Sequence, residues 1–289
     1  MSILITGATG TVGRHLVSAL VDAGESVRAL SRDPASAALP EAVEVVAGDL
    51  AAPAGLAPSI FDGVDRVFVF PAATVDHLVA GAVAVGVDRF VVMSSLAAAE
   101  EFPRDRGSAS QVHHAAVEKA VTARSDNWTV LRPGTFADNL LSWAPSIAHG
   151  APVRAPYLAS AQAPIHAADV ADAAAAALLS DDWTRQAIAL SGPESLTRRE
   201  QIAAIGAAIG AEITAEEITP EEFRTEAAAY VPEPVIAMLL DYWRDTVTEP
   251  DRVRSGVRDL TGKPGRTLAE WAAEHRSAFL PATTPAAGR

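Results

Sequence analysis

A doubly wound α/β fold around a parallel sheet is predicted by three observations. Six short runs are branched and almost continuously apolar, helical patterns separate them, and the first run leads straight into a glycine turn. Strands of a parallel sheet are covered on both faces, so they read as unbroken apolar runs rather than alternating ones. Repeated βα units with right-handed crossovers then wind the chain to both sides of the sheet.

The strands are expected at "ILIT" (3–6), "SVRAL" (26–30), "VEVVA" (43–47), "RVFVF" (66–70), "RFVVM" (89–93) and "WTVLR" (128–132). Between them, "VGRHLVSALVDAG" stops at Gly24 and "VDHLVAGAVAVG" at Gly86, glycine being the residue that ends a helix without strain. The pattern is regular through residue 134, so 1–134 are expected to form a nucleotide-binding core. "SWAPSIAHGAPVRAPYLASAQAPIH" has no clear period, and 135–163 read as a long loop that covers a ligand. "DVADAAAAALLS" and "AIALSG" bring back a helix and a strand near 187–190, which returns 164–210 to the core. Acidic helices and prolines mark the following stretch, and 211–280 are expected as a small, mainly helical cap over the substrate. Its acidic pairs at 216–217 and 221–222 read as solvated helix faces, and the tail 281–289, "PATTPAAGR", is expected to be disordered.

Bulk properties exclude several roles. A chain of 289 residues can bury a large core, and a formal charge of −13 argues against a nucleic-acid or anionic-membrane surface. With no cysteine there are no disulfides, thiol nucleophiles or cysteine metal sites. "MSILITG" has no basic region or cleavage site, and no apolar run reaches the roughly 18 residues of a membrane helix. A soluble, cytoplasmic protein is expected. No histidine and carboxylate cluster has metal-ligand spacing, and no G-x-S-x-G elbow occurs.

The chemistry begins at "ILITGATGTVGRHLV", where Gly7, Gly10 and Gly13 recur every three residues between a strand and a helix. Glycine there permits the tight turn, the close approach of backbone to a pyrophosphate, and close helix–strand contact. The helix N-terminus offers free N–H groups to the phosphates. With Thr9, Thr11 and Val12 these residues form the expected dinucleotide turn. The expected sheet order is then 3-2-1-4-5-6 with the returning strand beside it. At the second strand's end, "VRALSRDP" places Ser31 and Arg32 where a 2′-phosphate would be read, with Arg14 as a second cation. That favours NADPH, while Asp33 just beyond keeps NAD open.

The segments "TGATGTVG", "RALSRDP", "AGDL", "VVMSS", "HHAAVEKA", "WTVLRPGTFADN", "HAADVADAAAAAL" and "LSGPESLTRREQ" carry a resemblance. In content and order, over residues 2–210, the chain resembles the NmrA-like, atypical branch of the short-chain dehydrogenase/reductase family. That branch includes NAD(P)H:quinone oxidoreductases, some antibiotic-pathway ketoreductases, and NADP-sensing regulators without catalysis. "GKPGRTLAEWAAEH" resembles its terminal helix. The resemblance implies that Asp49 and Leu50 border the adenine, and that Pro71, Ala72, Ala73 and Ser94 line the cofactor. It makes Ser95 the serine that polarises a carbonyl and Lys119 the lysine that holds the nicotinamide ribose. "RPGTF", with Pro133 and Phe136, becomes the loop over the nicotinamide.

One departure from the family matters most. In "SQVHHAAVEKAV" the position four residues before Lys119 is Ala115, where the family places a catalytic tyrosine. Residues 115 and 119 share a helix face, and alanine donates no proton. His114, rotated by about 100° on the helix, either faces the pocket or pairs structurally with Glu118. His113 is expected to face solvent and His166 to pack in the core. Three functions remain: an NADPH-dependent reductase of a quinone or phenol-bearing aromatic ketone, a non-catalytic NADP(H)-binding regulator, and, last, a sugar-nucleotide epimerase, which needs the tyrosine. The reductase is preferred because Ser95 is present and the 135–163 loop carries Trp143 and Tyr157. A small flat aromatic substrate is expected near Ser95, Asn139, His114, Trp143 and Tyr157, although Asn139 can equally hold a helix terminus.

Overall fold

Each apolar run of the sequence is a strand, displaced from its expected limits by no more than two residues. The computed structural model describes residues 1–52 and 56–281. Its elements begin with β1 (Ser2–Ile5), α1 (Thr11–Asp22), β2 (Val27–Ser31), β3 (Glu44–Ala47) and β4 (Val64–Val69). They continue with α2 (Val75–Ala84), β5 (Arg89–Met93), α3 (Ala109–Thr122), β6 (Asn127–Pro133), α4 (Ala144–Ala148), β7 (Val153–Ala155) and β8 (Ala161–Gln162). Next come α5 (Ala167–Leu179), β9 (Gln186–Leu190), β10 (Leu196–Thr197), α6 (Arg198–Ile209) and β11 (Ala215–Glu217). The last helices are α7 (Pro220–Ala227), α8 (Glu233–Thr248), α9 (Gly256–Thr261) and α10 (Leu268–Glu274).

Two units divide the chain. The first comprises Met1–Gly134, Ala167–Ser191 and Arg254–Gly265. Its seven parallel strands run β3-β2-β1-β4-β5-β6-β9, the expected order with the returning strand beside β6. Leu4, Val67, Val69, Phe90, Val92 and Val130 pack on one side of the sheet with Leu78 of α2 and Val117 and Val121 of α3. On α5, seven of the buried residues are alanines, and this helix packs against α1. Small side chains let those helices approach closely. Order reverses between β1 and β4, which opens a crevice at the carboxyl ends of the strands.

The second unit comprises Thr135–His166, Gly192–Val253 and the described residues from Arg266 onward. Two small sheets, β8 with β10 and β7 with β11, stand among its helices. Trp271, Phe279, Leu158, Leu268, Ile202 and Ile205 form its core. α6, α7 and α10 each start with the same reciprocal cap, Thr197 with Glu200, Thr219 with Glu222, and Thr267 with Glu270.

Several limits differ from those expected. Residues 135–163 are not a bare loop: they hold a 3-10 run at Ala137–Trp143, α4, β7 and β8. Elements of two to seven residues are too short to show a period. Residues 192–210 belong to the second unit, because Ile202 and Ile205 of α6 pack with Trp271. Residues 254–265, expected in the cap, belong to the first. There a Cβ on Gly256 would lie 2.3 Å from the Ala189 carbonyl oxygen, so glycine lets α9 meet β9. Glu216 and Glu217 stand on β11 rather than on a helix, and Glu216 pairs with Arg154. Residues 282–289 of the expected tail lie outside the described residues. Among the described residues, no helix is long and apolar enough to cross a membrane.

Candidate active site

Between β1 and α1 the backbone itself is the binding surface. Gly7 has φ +67°, in the left-handed region that favours glycine, and Phe70 packs beside it. A Cβ on Gly13 would lie 2.1 Å from the Gly7 carbonyl oxygen, a clash with backbone that nothing flexible relieves. Gly10 is the N-cap of α1 and no side chain caps the helix there. The first-turn N–H groups and the positive end of the dipole therefore stay open to an anion. Thr9 and Thr11 are exposed beside them, while Val12 is buried under the turn.

The loop after β2 separates its two candidate recognition groups. Arg32 is exposed and has no hydrogen bond or ion pair among the described residues. Asp33 is turned into its own loop, where its carboxylate accepts from the backbone N–H of Ala35 at 3.1 Å and of Ser36 at 3.4 Å. Hydrogen bonds from the Ser36 side chain and backbone hold that carboxyl below its ordinary pKa. Ser31 braces the same turn, donating to the Asp33 carbonyl at 3.0 Å. Arg14 donates through Nε to Thr9 O at 3.0 Å, through Nη1 to Ala38 O at 2.9 Å and through Nη2 to Ala37 O at 3.0 Å. It fastens this loop to the glycine turn, a role its position in the sequence does not reveal.

Farther along the same sheet edge, the Thr74 hydroxyl donates to the Leu50 carbonyl and ties the loop after β3 to the loop after β4. Asp49 closes its own turn by accepting from Ala51 N–H at 2.9 Å. Ala72, Ala73 and Lys119 line one groove of about 440 Å³ with Val75, His113 and Ala116. Lys119 has no partner among the described residues, so its ammonium is available. A bare helix N-terminus, a glycine cradle that a Cβ would fill, an uncommitted arginine and an uncommitted lysine together fit a dinucleotide.

At the end of β5 the two serines have different fates. Ser94 is buried and donates to Glu118 Oε1 at 2.5 Å. Glu118 also accepts from Arg132 Nε at 2.9 Å and Nη2 at 2.7 Å, a two-pronged pair that raises the arginine's pKa. The pairing of His114 with Glu118 is therefore corrected: Glu118 is taken by Arg132 and Ser94 across the sheet edge. His114 instead donates from Nδ1 to the Ser110 carbonyl at 2.8 Å, and burial holds its pKa below the ordinary histidine value. The Ser110 hydroxyl lies 3.4 Å from His114 Nδ1 and 3.4 Å from Ser95 Oγ. Ser95 accepts from Ala97 N–H at 3.3 Å and keeps its own proton to donate. His113 is exposed, as expected. Ser110 and Arg132 were missed; four-residue spacing from His114 was the available signal for Ser110.

In the second unit, Phe136 forms a parallel bridge with Ile165, and Asn139 is exposed with no cap role for its side chain. Tyr157 is half-buried with φ +53°, a strained conformation for a side-chain-bearing residue. Trp143 is half-buried beside Arg198, the guanidinium lying 5.6 Å from its ring centroid. The hydroxyl of Tyr242 contacts Thr135 at 2.9 Å and donates to Asp251. His166 is buried and meets Glu274 at 3.1 Å, in keeping with a packing role. In the first unit Pro133 closes β6 opposite Leu190.

A doubly wound sheet with an open glycine-cradled helix end defines a dinucleotide-binding protein. The family profile described as NAD(P)H-binding matches residues 7–181. The chain is 39% identical over 285 residues to a (4-alkanoyl-5-oxo-2,5-dihydrofuran-3-yl)methyl phosphate reductase of Streptomyces griseus, covering 96% of this chain and 99% of the relative. It is 32% identical over 290 residues to an NAD(P)H azoreductase of Xenophilus azovorans, with the same coverage of 96% and 99%. The NADPH complex of quinone oxidoreductase QOR2 from Escherichia coli superimposes with TM-score 0.79 at 22% identity, over 94% of this chain and 99% of that one. The chain belongs to the NAD(P)H-binding family and is an NAD(P)H-dependent oxidoreductase.

Proposed function

We propose that the chain uses NADPH to reduce a small electron-poor acceptor whose reacting bond is conjugated to oxygen, a quinone or a phenol-bearing aromatic ketone being the type. The observation that carries this reading is Ala115, one helical turn before Lys119, where a proton donor is missing. An acceptor that stabilises its own charge does not need that donor. The relatives support it. A quinone's reacting bonds are conjugated to oxygen, and in the dihydrofuranone name the ring C=C is conjugated to two carbonyls.

In this reading Gly7, Gly10 and Gly13 hold the pyrophosphate, Arg32 the 2′-phosphate beside the turn that Ser31 braces, and Lys119 the ribose. Asp49 and Leu50 border the adenine, and Pro71, Ala72 and Ala73 line the cofactor. When bound, the reduced cofactor supplies a hydride, that is two electrons with one hydrogen. As the new C–H bond forms, the acceptor's π pair moves onto its conjugated oxygen. Ser95 donates a hydrogen bond to that oxygen, and Ser110 with His114 stands behind Ser95 to pass a proton. NADPH oxidation measured against quinones, azo compounds and simple ketones tests the reading. Turnover of the conjugated set alone supports it, and tight NADPH binding with no turnover of any acceptor would favour the regulator.

Two expected results belong to this assignment. Arg32→Ala weakens NADPH by about 1.5–3 kcal/mol, the scale of charge-assisted hydrogen bonds, and leaves NADH nearly unchanged. Equal losses for both cofactors in a fluorescence titration would show that Arg32 does not read the 2′-phosphate. The second concerns pH. Burial lowers the His114 pKa, so proton supply through it rises as pH falls toward that pKa. The kcat profile should therefore climb on acidification, and His114→Gln should flatten it. In the unfolded chain the group titrates near about 6.5. Its contribution to stability is complete above that value and is lost as pH falls through the lower folded pKa. A kcat profile unchanged in His114→Gln puts the proton source elsewhere.

A further inference from the structure

Arg198, the first residue of α6, is 4% exposed, and its Nε and Nη1 have no hydrogen-bond partner among the described residues. Its guanidinium lies 3.8 Å from the centroid of the Trp243 ring and 5.6 Å from that of Trp143. Aromatic faces stabilise a cation, but they offer no acceptor to N–H groups that lie in the guanidinium plane. The polar groups close by in the chain and the fold are satisfied by one another. Gln201 donates to Gln162 at 3.0 Å and to the Leu196 carbonyl at 2.8 Å, while Thr246 donates to the Tyr242 carbonyl at 2.8 Å. Ser160 and Thr246 share a hydrogen bond of 2.8 Å. Burial pulls the arginine's pKa down to about 9, which still leaves it charged at neutral pH.

A buried cation without a counter-charge lowers stability, so the fold alone gives no reason to keep one. A buried arginine over the Trp243 ring, with donors unmet, is arranged to receive a group that carries oxygen acceptors and negative charge. We propose that Arg198, with Trp143 and Trp243, binds an oxyanion, a phosphate monoester or a carboxylate.

The test begins with tryptophan emission of the full chain titrated with methyl phosphate, acetate and, as the neutral control, methanol. A saturable change with one or both anions, none with methanol, and loss of the response in Arg198→Met are expected. A stronger response to methyl phosphate identifies a phosphate ester, and a stronger response to acetate a carboxylate. Trp243→Phe should shrink the amplitude. Ligand-free Arg198→Met should melt at or above the wild-type temperature, because an unpaired charge has been removed. Arg198→Lys keeps the charge and loses the planar fork, so weaker binding there supports the site and unchanged binding overturns it. No response to either anion in the wild type, or the same response in Arg198→Met, also overturns it.

Discussion

A phenol-bearing aromatic ketone is expected to be reduced about 10²–10⁴-fold faster than its O-methyl ether or a simple cyclic ketone. Hydride addition to a simple ketone makes an alkoxide whose conjugate acid is about as weak as water, roughly six units weaker than a phenol. A quinone, or a ketone beside a phenol, places the charge on, or draws the proton from, a group of pKa about 10. Six units at about 1.36 kcal/mol each make a difference of roughly 8 kcal/mol. A positioned general acid typically supplies only about 10²–10⁴-fold, less than the roughly 10⁶ that six units represent. In the proposed mechanism the Ser95–Ser110–His114 chain narrows the gap without closing it, since burial disfavours the protonated form of His114. Ala115→Tyr should raise the ether and the simple ketone more than the phenol. Equal turnover of all three substrates by the native chain would reveal a full-strength protein acid and defeat the reading.

Replacing Gly13 with alanine is expected to weaken NADPH by about 3 kcal/mol, a factor of roughly 100 or more in Kd. The added Cβ would stand 2.1 Å from the Gly7 carbonyl oxygen and 2.8 Å from Ala8 Cα, so the turn must open. Opening it moves the N–H groups that meet the pyrophosphate. Gly24→Ala is the contrasting variant. Gly24 has φ +80° and nothing within 4 Å of the added methyl, so alanine there adds only left-handed strain of about 1–2 kcal/mol. Its melting temperature should fall while its NADPH affinity holds. Undiminished NADPH affinity in Gly13→Ala would show that the cofactor does not lie on this turn.

Ala115 and the glycine turn were legible because both depend on near neighbours: three-residue spacing makes the cradle, and four-residue spacing places 115 beside Lys119. Strand order followed from the motif for a related reason, since a right-handed crossover leaves few ways to wind successive βα units. Partner choice was a different matter. Glu118 sits four residues from His114 in the helix, yet Arg132, fourteen residues on, meets its two oxygens with two N–H groups at 2.9 and 2.7 Å. Likewise α6 follows the returning strand in the chain but packs its isoleucines with Trp271, and α9 leaves the cap to lie on β9.

The sequence by itself determined the cofactor turn, the winding of the sheet and the missing proton donor, because each is a constraint between residues adjacent on one turn, one helix or one βα unit. Tertiary structure alone decided which carboxylate met which cation, and that Arg198 was buried against Trp243 with no counter-charge among the described residues. Those outcomes compare many possible partners across the whole chain, and the comparison is settled by burial, which raises the cost of every unmet charge and is set only when distant segments pack.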